Sequence, residues 1–209
     1  MKLYDVTHTL CSDTPVWPGD PSVKVESRSS IENGDACNLT SLVLGSHAGT
    51  HLDAPYHVFK NGKKLSEIDA ELFIGDCLVI EILDKKEILL SDIDGLIPNG
   101  TKRLLIKTNN SKRNFYGEFY TDYASVDAQA VEYMLSMGVK LLGVDYLSLG
   151  VWGKTLATHE VFFTRGGEVI VESLNLSDVP QGEYEMICLP MKLSCEDGAP
   201  VRCILKEKI

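Results

Sequence analysis

The 209-residue chain has no basic block and little positive charge: 20 Lys and Arg against 30 Asp and Glu give a formal charge of −10. Nothing in it would attract a phosphate backbone, so a nucleic-acid partner is not expected. No apolar run approaches the length needed to cross a bilayer. The start, Met1-Lys2-Leu3-Tyr4-Asp5-Val6-Thr7-His8, turns polar without the apolar centre of a secretion signal, so a cytoplasmic protein with no membrane partner is expected. Six cysteines, at 11, 37, 77, 188, 195 and 203, include no Cys-x-x-Cys pair and read as free, small apolar residues in a reducing compartment. Internal repeats, low-complexity tracts and dividing linkers are missing too. With 44% hydrophobic and 24% charged residues, residues 1–209 are expected to form a single domain with a substantial core.

Histidine is also scarce, and what there is lies close together. Three of the five histidines fall in Ser46-His47-Ala48-Gly49-Thr50-His51-Leu52-Asp53-Ala54-Pro55-Tyr56-His57, with an aspartate among them. A continuous helix would put His47 and His51 on one face but turn Asp53 away. A straight strand would face them alike, yet hold His47 and His51 about 13 Å apart. The chain must bend between them, and Ala48-Gly49-Thr50 supplies small residues and a permissive glycine. Beyond the bend, Pro55 favours an extended Ala54, so His51 and Asp53 project to one side. Two imidazoles and a carboxylate suit zinc or a similar divalent ion and leave a position open for water.

Along the rest of the chain, Thr14-Pro15-Val16-Trp17-Pro18-Gly19-Asp20-Pro21 is a stiff loop. Trp17 there is either a plug over the core or a wall for a planar ligand. Alternating apolar residues predict strands at 23–27 and 38–44, the second running straight into the histidine stretch. A short helix or helical turn is predicted at 65–73, a buried strand at 76–83, a short helix at 90–96 and a strand at 103–108. Residues 109–123 turn polar and aromatic, a loop that either folds over a site or packs on the surface. A helix follows, with Ser125 as N-cap candidate and Gly138 as its stop. Strands at 140–144, 168–173, 184–189 and 200–205 and a short helix at 156–163 complete an α/β pattern with a mixed central sheet.

Three ligands from one loop seldom complete a site. His159, and Glu172 inside the apolar run Val169-Ile170-Val171-Glu172-Ser173-Leu174, are the candidate partners. A carboxylate in such a strand either faces solvent or is held by a strong partner, and the spacing allows both.

These residues carry a resemblance. His-x-Gly-Thr-His-x-Asp-x-Pro-x-His from His47 to His57, Trp-Pro-Gly-Asp at 17–20, Gly-Val-Asp-Tyr-x-Ser at 143–148, and the later His159 and Glu172 resemble the metal-dependent cyclase family that includes bacterial-type kynurenine formamidase and isatin hydrolase. The likeness spans nearly the whole chain. It implies a swivelling β/β/α fold, a homo-oligomer (dimer or tetramer) and one or two zinc or manganese ions per chain. By that resemblance His47 and His51 bind one ion, Asp53 bridges, His159 binds the second and Glu172 contacts both. His57 is then the acid/base residue and Trp17 a wall of the substrate pocket. The implied reaction is hydrolysis of an amide of a small aromatic substrate, N-formylkynurenine first, as in tryptophan catabolism. A non-catalytic metal-ordered binding protein, or a cyclase or dehydratase using the same residues, is the alternative. Two departures stand out. The segment between His159 and Glu172 is longer than in typical formamidases, which leaves Glu160 and Glu168 as substitute carboxylates. Leu149-Gly150-Val151-Trp152 follows Ser148 where many relatives carry an aspartate, which points to a changed pocket.

Overall fold

The computed structural model describes residues 1–208. Among these residues the strands are β1 (Leu3–Asp5), β2 (Lys24–Ser29), β3 (Leu39–Val43), β4 (His51–Asp53), β5 (Ile74–Glu81), β6 (Glu87–Ile88), β7 (Arg103–Lys107), β8 (Ser125–Val126), β9 (Leu141–Val144), β10 (Val169–Glu172), β11 (Gly182–Pro190) and β12 (Gly198–Glu207). The α-helices are α1 (Leu90–Ile93), α2 (Ala128–Ser136) and α3 (Thr155–Thr164).

The main sheet runs β1-β12-β11-β5-β7-β9-β10-β4, and β4 pairs with β12 as well, so the mixed sheet closes into a seven-stranded barrel. Closure depends on the length of β12. Its first residues, Gly198 to Pro200, pair with β4, and further along the same edge Ile204 to Lys206 pair with β1, while β11 takes the opposite edge.

β5, β7, β9 and β10 are parallel neighbours, and the connections that carry α1, α2 and α3 supply the crossovers parallel strands require. β7, β9 and β10 are buried at every position, which accounts for the continuous apolar runs 104–106, 141–144 and 169–171 within them, charged residues standing only at the ends of β7 and β10. Alternate residues nevertheless serve different layers. Leu105, Leu141, Val169 and Val171 pack inside the barrel with Met186 and Cys203. Leu104, Leu142 and Ile170 face outward against Val131 and Met134 of α2 and Phe162 of α3.

Several expectations need correction. Ser125 does not cap α2: it belongs to β8, which pairs with β6, and the cap is Asp127, whose carboxylate accepts from Gln129 N at 2.8 Å. The stop at Gly138 holds, with the residue at φ 104°. Residues 65–73 form two separate 3-10 turns, Leu65–Glu67 and Ala70–Phe73. β2 and β3 pair only with each other, as a largely exposed hairpin. The histidine stretch therefore does not continue β3; it lies beyond a turn and enters β4. All six cysteines are free, with Cys188 and Cys203 directly opposite one another. Among the described residues no helix is long and apolar enough to cross a membrane.

Candidate metal centre and cleft

The bend the spacing demanded is present. Gly49 sits at φ 65°, and a Cβ there would meet Leu10 Cδ2 at 2.6 Å, so both conformation and space call for glycine. Thr50 pins the turn from within: its hydroxyl donates to Ser173 O at 2.6 Å and accepts from His8 N at 2.9 Å. β4 then lies between β10 and β12. Its register sets His51 opposite Glu172 and Asp53 opposite Ile170. Directly opposed residues share a face, so pairing with β10 brings Glu172 alongside His51 and Asp53 on the side away from the barrel core. The helix packed over that side, α3, contributes His159.

The four side chains converge. His51 Nε2 lies 3.4 Å from Asp53 Oδ1 and 3.6 Å from Glu172 Oε2. His159 Nε2 lies 3.1 Å from Glu172 Oε1 and 3.4 Å from Asp53 Oδ2. His47, on the turn, puts Nδ1 2.7 Å from Asp53 Oδ1. Each imidazole is fixed through its other nitrogen: His51 Nδ1 to Gly49 O at 2.8 Å, His159 Nδ1 to Thr155 O at 2.9 Å, His47 Nε2 to Asp197 Oδ2 at 3.0 Å. Glu172 is held in turn by Leu149 N at 2.8 Å. Glu160 is exposed on α3, and Glu168 pairs with Lys63 at 2.7 Å. Of the three carboxylates considered in that region, Glu172 is the one in the cluster.

Asp53 and Glu172 are both buried in this cluster. Burial alone would raise both carboxyls and lower the imidazoles. Instead, the histidines hold Asp53 well below the ordinary carboxylate range and Glu172 below it too. In return the two carboxylates outweigh burial and push His51 and His159 up to about 10. Two buried carboxylates at one point need positive charge. Protonated imidazoles provide it, and so would a divalent cation with the imidazoles neutral. The sets His47, Asp53, His57 and His51, Asp53, Glu172 each offer ligand atoms within 4.8 Å of one another. Imidazole and carboxylate donors, each imidazole oriented from behind, fit such an ion.

His57 is nearer than an extended segment would leave it. The strand ends at Asp53 and Pro55–His57 form a 3-10 turn, which swings the His57 ring to 4.1 Å from that of His47. Partial burial lowers its pKa below the usual histidine value, despite the opposing field of Asp53.

These groups open on a cleft of about 250 Å³, where the four histidines and Glu172 are joined by Trp17, Asp20, Leu147, Ser148, Thr155 and Leu156. Trp17 stands edge-on to Phe119 at 5.1 Å and lies 5.2 Å from Trp152. Its ring is thus both packed and part of the cleft lining. The 109–123 segment folds over this region, pinned at its base by Asn110, which exchanges hydrogen bonds with Ala124 O and N. Its Phe119 braces Trp17 from behind. Sequence reasoning missed Asp197 and the Leu149 amide, and met Asp20 only as the last residue of the Trp-Pro-Gly-Asp motif, without a role. The Asp197-Gly198 pair was visible only as the approach to a strand, with nothing to tie it to His47.

The chain matches the family described as "Putative cyclase" over residues 4–151. It is 33% identical to a kynurenine formamidase of Sphingopyxis alaskensis over 209 residues, covering 99% of this chain and 98% of the relative. A solved "potential metal-dependent hydrolase with cyclase activity" superposes with a TM-score of 0.83 at 30% identity, over 98% of this chain and 96% of the other. An isatin hydrolase bound to the product analogue thioisatinate shares the fold, with a TM-score of 0.81 at 22% identity over 98% and 91% of the two chains. With the barrel, the His47–His57 stretch and these matches in agreement, the chain belongs to the cyclase family and is an amide hydrolase.

Proposed function

We propose that the protein hydrolyses a formamide or cyclic amide of a small aromatic molecule, with N-formylkynurenine the leading substrate. The observation that carries this reading is a histidine, His57, set beside a buried two-carboxylate, three-imidazole cluster at the end of an aromatic-walled cleft. In this reading His47 and His51 would hold one divalent ion and His159 a second, with Asp53 shared and Glu172 serving both, zinc or manganese suiting the donors. When bound, such an ion supplies an acidified water and polarises the scissile carbonyl. His57, held largely neutral near pH 7, accepts the nucleophile's proton and delivers it to the leaving nitrogen. Trp17 stacks on the substrate ring, and the cleft walls limit competing water.

A second reading, a neutral cyclic amide of the isatin kind, draws on the lining itself: it includes Asp20 and, among the described residues, no Lys or Arg. A substrate carboxylate would find no lysine or arginine in that lining to pair with.

The test is a panel of N-formylkynurenine, isatin, formanilides and lactams with zinc or manganese, read by product mass. Opening a cyclic amide adds one water to the product, and cleaving a formamide takes up one water and releases formate, leaving the free amine; loss of water alone would favour a dehydratase, and no turnover would remove the proposal. On the substrate that reacts, His57→Ala is expected to lower kcat by about 10²–10⁴ with metal content unchanged. Loss of metal together with activity would make His57 a ligand rather than the base.

A further inference from the structure

The three imidazoles of the cluster are not supported alike. His51 and His159 rest on backbone carbonyls, Gly49 O and Thr155 O, and present Nε2 to Asp53 and Glu172. His47 is reversed. It presents Nδ1 to Asp53 at 2.7 Å and gives Nε2 to a side-chain carboxylate, Asp197 Oδ2, at 3.0 Å. Asp197 lies on the connection between β11 and β12 and is itself fixed: Ser46 Oγ donates to the same oxygen at 2.6 Å, and its backbone carbonyl accepts from Ala54 N at 2.8 Å. The next residue completes the seat. A Cβ on Gly198 would come within 2.9 Å of His47 Cε1 and 2.4 Å of Leu52 O, so the ring occupies space that only glycine leaves open.

We infer that Asp197 is a positioning residue for His47, and that Asp197-Gly198 forms a built-in seat fixing the tautomer and direction of this one imidazole. Without an ion both ring nitrogens donate, Nδ1 to Asp53 and Nε2 to Asp197; were a cation to replace the Nδ1 proton, Asp197 accepting at Nε2 would keep the remaining proton there. An ionised carboxylate behind an imidazole also makes its other nitrogen a stronger donor to a cation than a neutral carbonyl does. The ion shared by His47, His51 and Asp53 therefore depends on a group brought in by the β11–β12 connection, whereas the position formed by Asp53, His159 and Glu172 does not. His47 is also the imidazole nearest His57, so the seat controls the half of the cluster facing the proposed base.

This inference rests on the metal reading above, and its test separates the two. Zinc affinity and stoichiometry are measured by chelator competition and elemental analysis on the parent, Asp197→Ala and Asp197→Asn, with ring nitrogen NMR shifts reporting the His47 tautomer. The alanine variant is expected to lose about 10–100-fold in affinity for one ion and leave the other unchanged. Asparagine, whose carboxamide oxygen still accepts from Nε2, is expected to keep the parent tautomer and recover part of the affinity. Equal affinity in parent and Asp197→Ala, or a parent His47 protonated at Nδ1 with zinc bound, overturns the inference and leaves the metal reading intact. A parent that binds neither zinc nor manganese overturns both. If the alanine variant fails to fold, the asparagine variant decides: a tautomer change in it refutes the seat.

Discussion

At the scale of single residues, environment matters more than type. The five histidines span a wide range of basicity within one fold: two carboxylates raise His51 and His159 to about 10, while burial lowers His8 to about 4. His8 takes no part in the cluster. It stacks on Phe115 with ring centroids 3.6 Å apart and planes 4° from parallel, and so helps to hold the aromatic segment down. Its lowered pKa means that the folded protein refuses a proton the unfolded chain accepts near 6.5. Stability is therefore complete above that pH and lost as pH falls from 6.5 towards 4. His8→Phe keeps the stack and removes the titration. Melting temperatures between pH 7 and pH 4.5 should fall less steeply for this variant than for the parent, and parallel curves would refute the role given to His8.

Among elements, the parallel strands place backbone and side chains where the loops need them. Asp145, just beyond β9, is a buried carboxylate with no cation beside it among the described residues. Thr108 donates to it through N and Oγ1, both at 2.8 Å, and Ser111 through N at 3.0 Å and Oγ at 2.7 Å. Burial outweighs these donors and raises its pKa. The contacts tie the start of the aromatic segment to the end of β9. Asp145→Ala would leave the buried Thr108 amide without its partner at about 1–3 kcal/mol, and free the partly buried Ser111 amide as well. Denaturant unfolding should show a loss of that order, with substrate affinity weakened through Trp17 because Phe119 loses its anchorage. An unchanged midpoint would count against the tether. This scale also shows where the sequence could be read and where it could not. The need for a bend at Gly49, the projection of His51 and Asp53 to one side and the apolar runs of the buried strands were legible, because each follows from local geometry and period. The cap of α2 was not: Ser125 and Asp127 are both good cap residues, and the pairing of β8 with β6 decided between them. The curl of His57 back to His47 was likewise hidden, since Pro55 restrains the residue before it and is equally at home in the first turn of a 3-10 helix. Asp197 could not be found at all, because only barrel closure brings it to His47.

For the molecule as a whole, the cluster sits at the seam where the barrel closes. Any ion that binds there and not to the unfolded chain stabilises the closed form by mass action, about 2.7 kcal/mol at a hundredfold excess over Kd. At roughly 2–4 °C per kcal/mol for a chain of this size, removing metal with a chelator should lower the melting temperature by about 5–10 °C. Restoring zinc or manganese should reverse the loss. A chelator that leaves the midpoint in place would disconnect the cluster from the seam.

The same seam sets the order in which the site can come into being during synthesis. β4 is made early, but one of its edges waits for β12 and the other for β10, while the seat of His47 arrives with the residue just before β12. A ribosome-bound chain that already carries the whole His47–His57 stretch therefore displays its ligands on an unpaired strand. It cannot assemble the full cluster until β10 and β12 have both emerged, so any metal would be captured only after those two strands are in place.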